Sequence, residues 1–111
     1  MAQAIAKSEW AHYCDNISKA LESSDAEIEV SSLELGDQPE SDWLPFIGIT
    51  YDANDDIIDI ALEGLDHIIS HPKEIRAEMD GVGLQAIEIK DSDGVQHIVK
   101  LRDSLALPAP H

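Results

Sequence analysis

A chain of 111 residues with a 43% apolar fraction can build one modest core, so a single domain over 1–111 is expected and outright disorder is not. No run of about 18 apolar residues occurs, the start M-A-Q-A-I-A-K-S-E-W does not read as a secretory signal, and Cys14 is the only cysteine. These features argue against a membrane span, an export signal, an internal disulfide and a cysteine-rich zinc site, and make the cytoplasm the default location.

The formal net charge is -16, and its distribution is uneven. Ala20 to Pro72 holds 14 acids and no Lys or Arg. Lys73 to His111 holds 7 acids and 5 bases, and the first 19 residues hold 2 of each. A folded chain would carry a lopsided field that repels free DNA or RNA and attracts a basic protein surface or a cation. Solubility, or life in a salty cytoplasm, would also account for it.

In chain order, 1–7 reads as a flexible lead-in. Ser8 is a good N-cap, with Glu9 in the first turn. Trp10, Tyr13, Ile17 and Leu21 then recur at helical spacing, flanked by Cys14 and Ala20. This predicts an amphipathic helix of about four turns, ending near Glu22 to Ser24. Its stripe should dock on a sheet, with Cys14 as a small core residue. Asp25 to Leu35 reads as a strand, with Ala26, Ile28 and Val30 on one face. Its phase slips after Ser31-Ser32 to Leu33 and Leu35, which suggests a bulge. Gly36 to Asp42 reads as an acidic loop.

The central stretch is W-L-P-F-I-G-I-T-Y-D-A-N-D-D-I-I-D-I-A-L-E-G-L-D-H-I-I-S-H-P, Trp43 to Pro72. Ile47, Ile49 and Tyr51 are expected on one face of a strand, against Phe46, Gly48 and Thr50. Asp52 to Asp56 is a turn, since Asn and Asp bond their own backbone and tolerate left-handed conformations. The chain returns through Ile58, Ile60 and Leu62. Gly64 punctuates it, Leu65, Ile68 and Ile69 form another apolar patch, and His71-Pro72 forces an extended exit.

Three more strands are predicted: Glu74 to Asp80, Leu84 to Asp91, and Val95 to Arg102. Asp91-Ser92-Asp93-Gly94 is a strong turn signal. Ser104 to His111 reads as a surface tail. Short connections exclude parallel crossovers, except at Gly64 to Lys73. The expected architecture is α+β: an N-terminal amphipathic helix on a curved antiparallel sheet, mostly meander, of about five to six strands, strongly curved or partly closed into a barrel.

Asp52, Asn54, Asp56 and Glu63 fall on positions one, three, five and twelve of a calcium loop. Ile57 stands where that loop needs Gly, and the flanks read as strands. His67 and His71 would share a face only in a helix, which Gly64 and Pro72 leave little room for. Two histidines without a third ligand are weak evidence for a metal. His67 or Asp66 is expected to bond backbone at the corner, and His97 to be a satisfied core histidine. No nucleophile elbow, phosphate loop or dinucleotide fingerprint is present. A non-catalytic chain without cofactor or metal is therefore expected.

W-L-P-F-I-G-I-T-Y-D, E-G-L-D-H-I-I-S-H-P and I-V-K-L-R-D-S-L-A-L-P, with Ser8-Glu9-Trp10 before them, resemble a family of small bacterial proteins of unknown function. The resemblance runs from Ser8 to Pro108, and its most specific element is Glu63-Gly64-Leu65-Asp66-His67. It implies a stand-alone bacterial domain and brings no catalytic residues.

Three functions remain open. The first is a non-catalytic interaction domain whose acidic half, Glu22 to Asp66, engages a basic partner through Glu40, Asp42, Asp52, Asp55, Asp56 and Asp59. The second is a nucleic-acid mimic that blocks a DNA- or RNA-binding protein, with carboxylates in rows on one face. The third is a small-ligand or cation-binding domain at a corner formed by Trp43, Asp66 and His67.

Overall fold

The computed structural model describes residues 2–22, 24–32, 36–39 and 43–105. After strand β1 (Ala2–Ile5) and a 3-10 turn (Lys7–Glu9) comes helix α1 (Trp10–Leu21). Eight strands follow: β2 (Asp25–Ser32), β3 (Gly36–Pro39), β4 (Leu44–Asp52), β5 (Ile57–Leu62), β6 (Leu65–Ser70), β7 (Pro72–Met79), β8 (Leu84–Asp91) and β9 (Gln96–Leu105). The architecture is α+β, one helix on a large antiparallel sheet.

Eight strands lie in the order β1-β7-β8-β9-β2-β4-β5-β6, and β3 pairs β2 to the side. The sheet is larger than the five to six strands expected. It stays open, ending at β1 and β6, so the expected partial barrel does not form. Its halves, β7-β8-β9-β2 and β4-β5-β6, join where β2 meets β4 at only two positions, Asp25 opposite Pro45 and Ala26 opposite Leu44. His71 alone separates β6 from β7, so the chain steps from one end of the order to the other half in one residue. The sheet must therefore coil strongly, and its inner face encloses the core.

Three extra strands account for the larger count, one of them β6, where a corner was expected. The expected lead-in carries β1, because Ala2 to Ile5 pairs Glu78 to Ile75 along β7. The expected acidic loop carries β3, where Gly36 to Pro39 pairs Ser32 to Glu29. Ser31 and Ser32 hold regular register, and the phase slip expected after them, at 33–35, lies outside the described residues. A register shift does occur in β4, between Phe46 and Gly48. It puts Phe46 in the core with Ile49 and turns Ile47 outward, contrary to strict alternation. The tail expected from Ser104 begins inside β9.

The helix buries Trp10, Cys14, Ile17 and Leu21, as its periodicity dictates. At 12 residues it is slightly shorter than expected, and it starts differently. Ser8 lies in the 3-10 turn, and Glu9 at the N-cap makes no side-chain cap bond. Trp10 secures this end: its Nε1–H donates to the Ile5 carbonyl at 3.0 Å, and its ring meets Tyr51 edge-on at 5.2 Å. Further along, the Ser18 hydroxyl donates to the Ile49 carbonyl at 2.7 Å and accepts from the Ile49 N–H at 2.8 Å. Beyond Leu44 and Pro45, no strand among the described residues pairs β4 on that side. One serine thus does for Ile49 what a neighbouring strand would do, and the helix covers an otherwise open edge. No helix among the described residues is long and apolar enough to cross a membrane.

Candidate functional site

The acids expected to form one face divide into distinct roles. Asp52 is spent on its own turn, its Oδ1 accepting the N–H groups of Asn54 at 2.9 Å and Asp55 at 3.4 Å. Asp55 is exposed. Asp56 sits at φ 53 and turns back toward the fold. It accepts the Tyr51 hydroxyl at 2.9 Å and faces His71 Nδ1 at 3.4 Å. The Tyr51 bond outweighs the cost of burial and, with His71, lowers the Asp56 carboxyl below its ordinary range. Burial, then the same bond and the charges of Asp56 and Asp52, raise the Tyr51 phenol. Glu40 and Asp42 lie outside the described residues.

Asp59 is different, because it faces another acid. Asp59 opposes Ile68 and Ala61 opposes Asp66, so Asp59 and Asp66 are diagonal neighbours on the outer face of β5 and β6. Partial burial, then a hydrogen bond to Asp66 and the Asp66 charge, push the Asp59 carboxyl up to about 6. Asp59 therefore holds a proton and donates it toward Asp66 when mildly acidic. Its Oδ1 is buried and has no hydrogen-bond partner. Thr50 opposes Asp59 from β4, and Ile68, 48% exposed, opposes it from β6. Ile47 is 59% exposed at the nearby bulge. The outer face of β4-β5-β6 thus combines acids with exposed aliphatic residues, and its strands contain no Lys or Arg.

Trp43, Asp66 and His67 do not assemble as one corner. Trp43, 40% exposed, lines a groove of about 480 Å³ with Gln85, Ile98, Lys100 and Arg102, on the other half of the sheet. That lining includes neither Asp66 nor His67. Asp66 and His67 are consecutive strand residues and project to opposite faces. Asp66 meets the Asp59 side chain, and His67 meets His97. His71 bonds backbone, its N–H donating to the Asp56 carbonyl at 2.9 Å while its φ is 53.

The inner face holds a second cluster. His67 Nε2 lies 2.9 Å from His97 Nδ1, and His97 Nε2 lies 2.9 Å from Asp91 Oδ2. Asp91 Oδ1 accepts the N–H groups of Asp93 at 2.9 Å and Val95 at 3.1 Å. His97 is 7% exposed, the buried polar core residue. Burial opposes the Asp91 charge, but the His97 ring and the two N–H groups outweigh it and lower that carboxyl below its ordinary range. The expectation that His97 is satisfied holds, with side chains on both sides. Part of this cluster was readable: Asp91 and His97 flank a D-S-D-G turn in one alternation phase. His67, 30 residues from His97, gave no such signal.

Comparison with known proteins completes the description. A family model described as "Family of unknown function (DUF5335)" matches residues 1–110. The chain belongs to this family. An uncharacterized protein of Aquifex aeolicus (strain VF5) is 38% identical over 107 residues, covering 96% of each chain. The small bacterial family of unknown function that the motifs resembled is thereby supported. No solved structure matches.

Proposed function

We propose that this chain is a non-catalytic interaction module that takes a basic, partly apolar protein surface on the outer face of β4-β5-β6. The observation that carries this reading is the Asp59–Asp66 pair. Two carboxyl groups face each other, one has a buried oxygen without a partner, and the three strands of this face supply no Lys or Arg. Such a pair costs stability in the free protein at neutral pH. A Lys or Arg from a partner would neutralise the pair. Ile47 and Ile68 add apolar area beside it, so a partner contact there gains from burial as well as charge. Asp52 and Asp56 are engaged in local bonds, which favours this compact site over a row of phosphate-like acids across the turn.

The test is affinity capture from source-cell lysate at low and high salt, using the protein and an Asp59→Asn/Asp66→Asn variant. A basic protein held at low salt, released by salt and not held by the variant is the expected result. Capture of the same proteins by both forms would overturn the reading.

A further inference from the structure

We infer that the His67–His97 contact is a proton-sensitive latch that fastens the end strand β6 to the opposite half of the sheet. β6 ends the strand order and, among the described residues, pairs with β5 alone. His67 reaches from its inner face to His97 on β9, and Asp91 at the end of β8 backs His97. The residues opposite these rings are apolar: Ile60 faces His67 across β5, and Ile89 and Val30 face His97 across β8 and β2. The nearest corner is held by a separate contact, Asp56 with His71, and by the Ser92 N–H bonded to the His71 carbonyl at 3.0 Å.

Proton counting gives the latch its behaviour. With both rings neutral, His97 Nε2–H donates to Asp91, and His97 Nδ1 accepts Nε2–H from His67. One added proton is tolerated. His97 then donates from both nitrogens, and His67 shifts its own proton to Nδ1 so that Nε2 accepts. A second proton is not tolerated. Both nitrogens of a 2.9 Å contact would carry hydrogen, and two positive rings would face each other in a half-buried space. The contact must then open. The contact therefore holds at most one added proton, and release belongs to the second.

Asp66 and Ile68 flank His67 in sequence and project outward, so release of β6 would also disturb the outer face. That consequence alone rests on the proposed function; the latch does not. A confounding titration sits on the same strand, because Asp59 and Asp66 repel each other less as pH falls. The experiment therefore uses the Asp59→Asn background, in which that pair is relieved. Imidazole nitrogen shifts and backbone amide exchange are followed from pH 8 to pH 4.5. Amides shared by β5 and β6 are expected to lose about tenfold in protection, after correction for the intrinsic pH dependence of exchange, once the second imidazole charges, while those of Ile87 and Val99 in β8 and β9 hold. A His67→Gln variant keeps a donor toward His97 but cannot take the second charge. It should keep β6 protected across the same range. Equal loss of β6 protection in both forms, or none in the histidine form, would overturn the latch.

Discussion

Replacing Asp59 by Asn tests the acidic pair directly. The Asp59 carboxyl titrates at about 6 in the folded chain, against an ordinary 3.8. Its folded form binds a proton more tightly than its unfolded form, so stability falls as pH rises from about 4 to about 6 and stays lower above that. Two pH units correspond to a ceiling of ~3 kcal/mol. Asp59 is only partly buried, and solvent screening reduces this by about half, to ~1–1.5 kcal/mol. Asn at this position carries no charge, and its amide can donate to Asp66. Asp59→Asn should therefore gain ~1–1.5 kcal/mol at pH 7.5, a rise in Tm of roughly 4–6 °C for a domain of this size. At pH 4 the gain should vanish, since Asp59 is already protonated there. Asp66→Asn should relieve the same repulsion, and the double variant should gain little more, because both changes remove one interaction. Asp56 and Asp91 act in a lower window: their carboxyls lie below the ordinary range, so their stabilisation is lost only as pH falls through it. Thermal melts from pH 4 to pH 8 read all of this. An Asp59→Asn form no more stable than the parent at pH 7.5, or equally shifted at pH 4, would refute the argument.

Ser18→Ala removes both bonds at Ile49 and should cost ~1–3 kcal/mol by urea unfolding, with faster exchange of the Ile49 amide. Tyr13→Phe should be neutral or stabilising by up to ~1 kcal/mol, because the Tyr13 hydroxyl is buried without a partner. Gly64→Ala should cost ~1 kcal/mol from backbone conformation alone, since φ is 80 and the space is open; Gly81→Ala, equally open and without positive φ, is the control for the same melts. Cys14 is buried and its thiol is raised to about 12 by burial and by Asp15, so a thiol reagent at pH 8 should label it only as the chain unfolds.

Much of the fold was written in local pattern. The stripe Trp10, Cys14, Ile17 and Leu21, the alternation of β2, and the hairpins at Asp52–Asp56 and Asp91–Gly94 needed only nearest-neighbour rules, and the structure follows them. Of the three missed strands, the first needed a distant partner. Ala2 to Ile5 carries no strong strand pattern and is a strand because β7 offers an edge more than seventy positions away. Gly36 to Pro39 has turn chemistry, yet β2 presents a free edge to it. The Ile47 bulge was hidden for a different reason. Ile47, Ile49 and Tyr51 alternate without fault, and only the competing burial of Phe46 reveals the extra residue.

The site was misjudged through one local assumption, that Gly64 to Pro72 was a corner. In a turn, Asp66 and His67 can converge on one ligand. In a strand they cannot, because successive side chains leave on opposite faces. Once Leu65–Ser70 is a strand, the register around Glu63-Gly64 puts Asp66 beside Asp59 and leaves His67 opposite Ile60, on the core side. A histidine there needs a polar partner, and the coiled sheet brings His97 to it. The inner contact and the outer acid pair are therefore two results of one register. A one-residue slip would put the histidine in solvent and bury an aspartate against Ile60, so register and chemistry at β6 are fixed together.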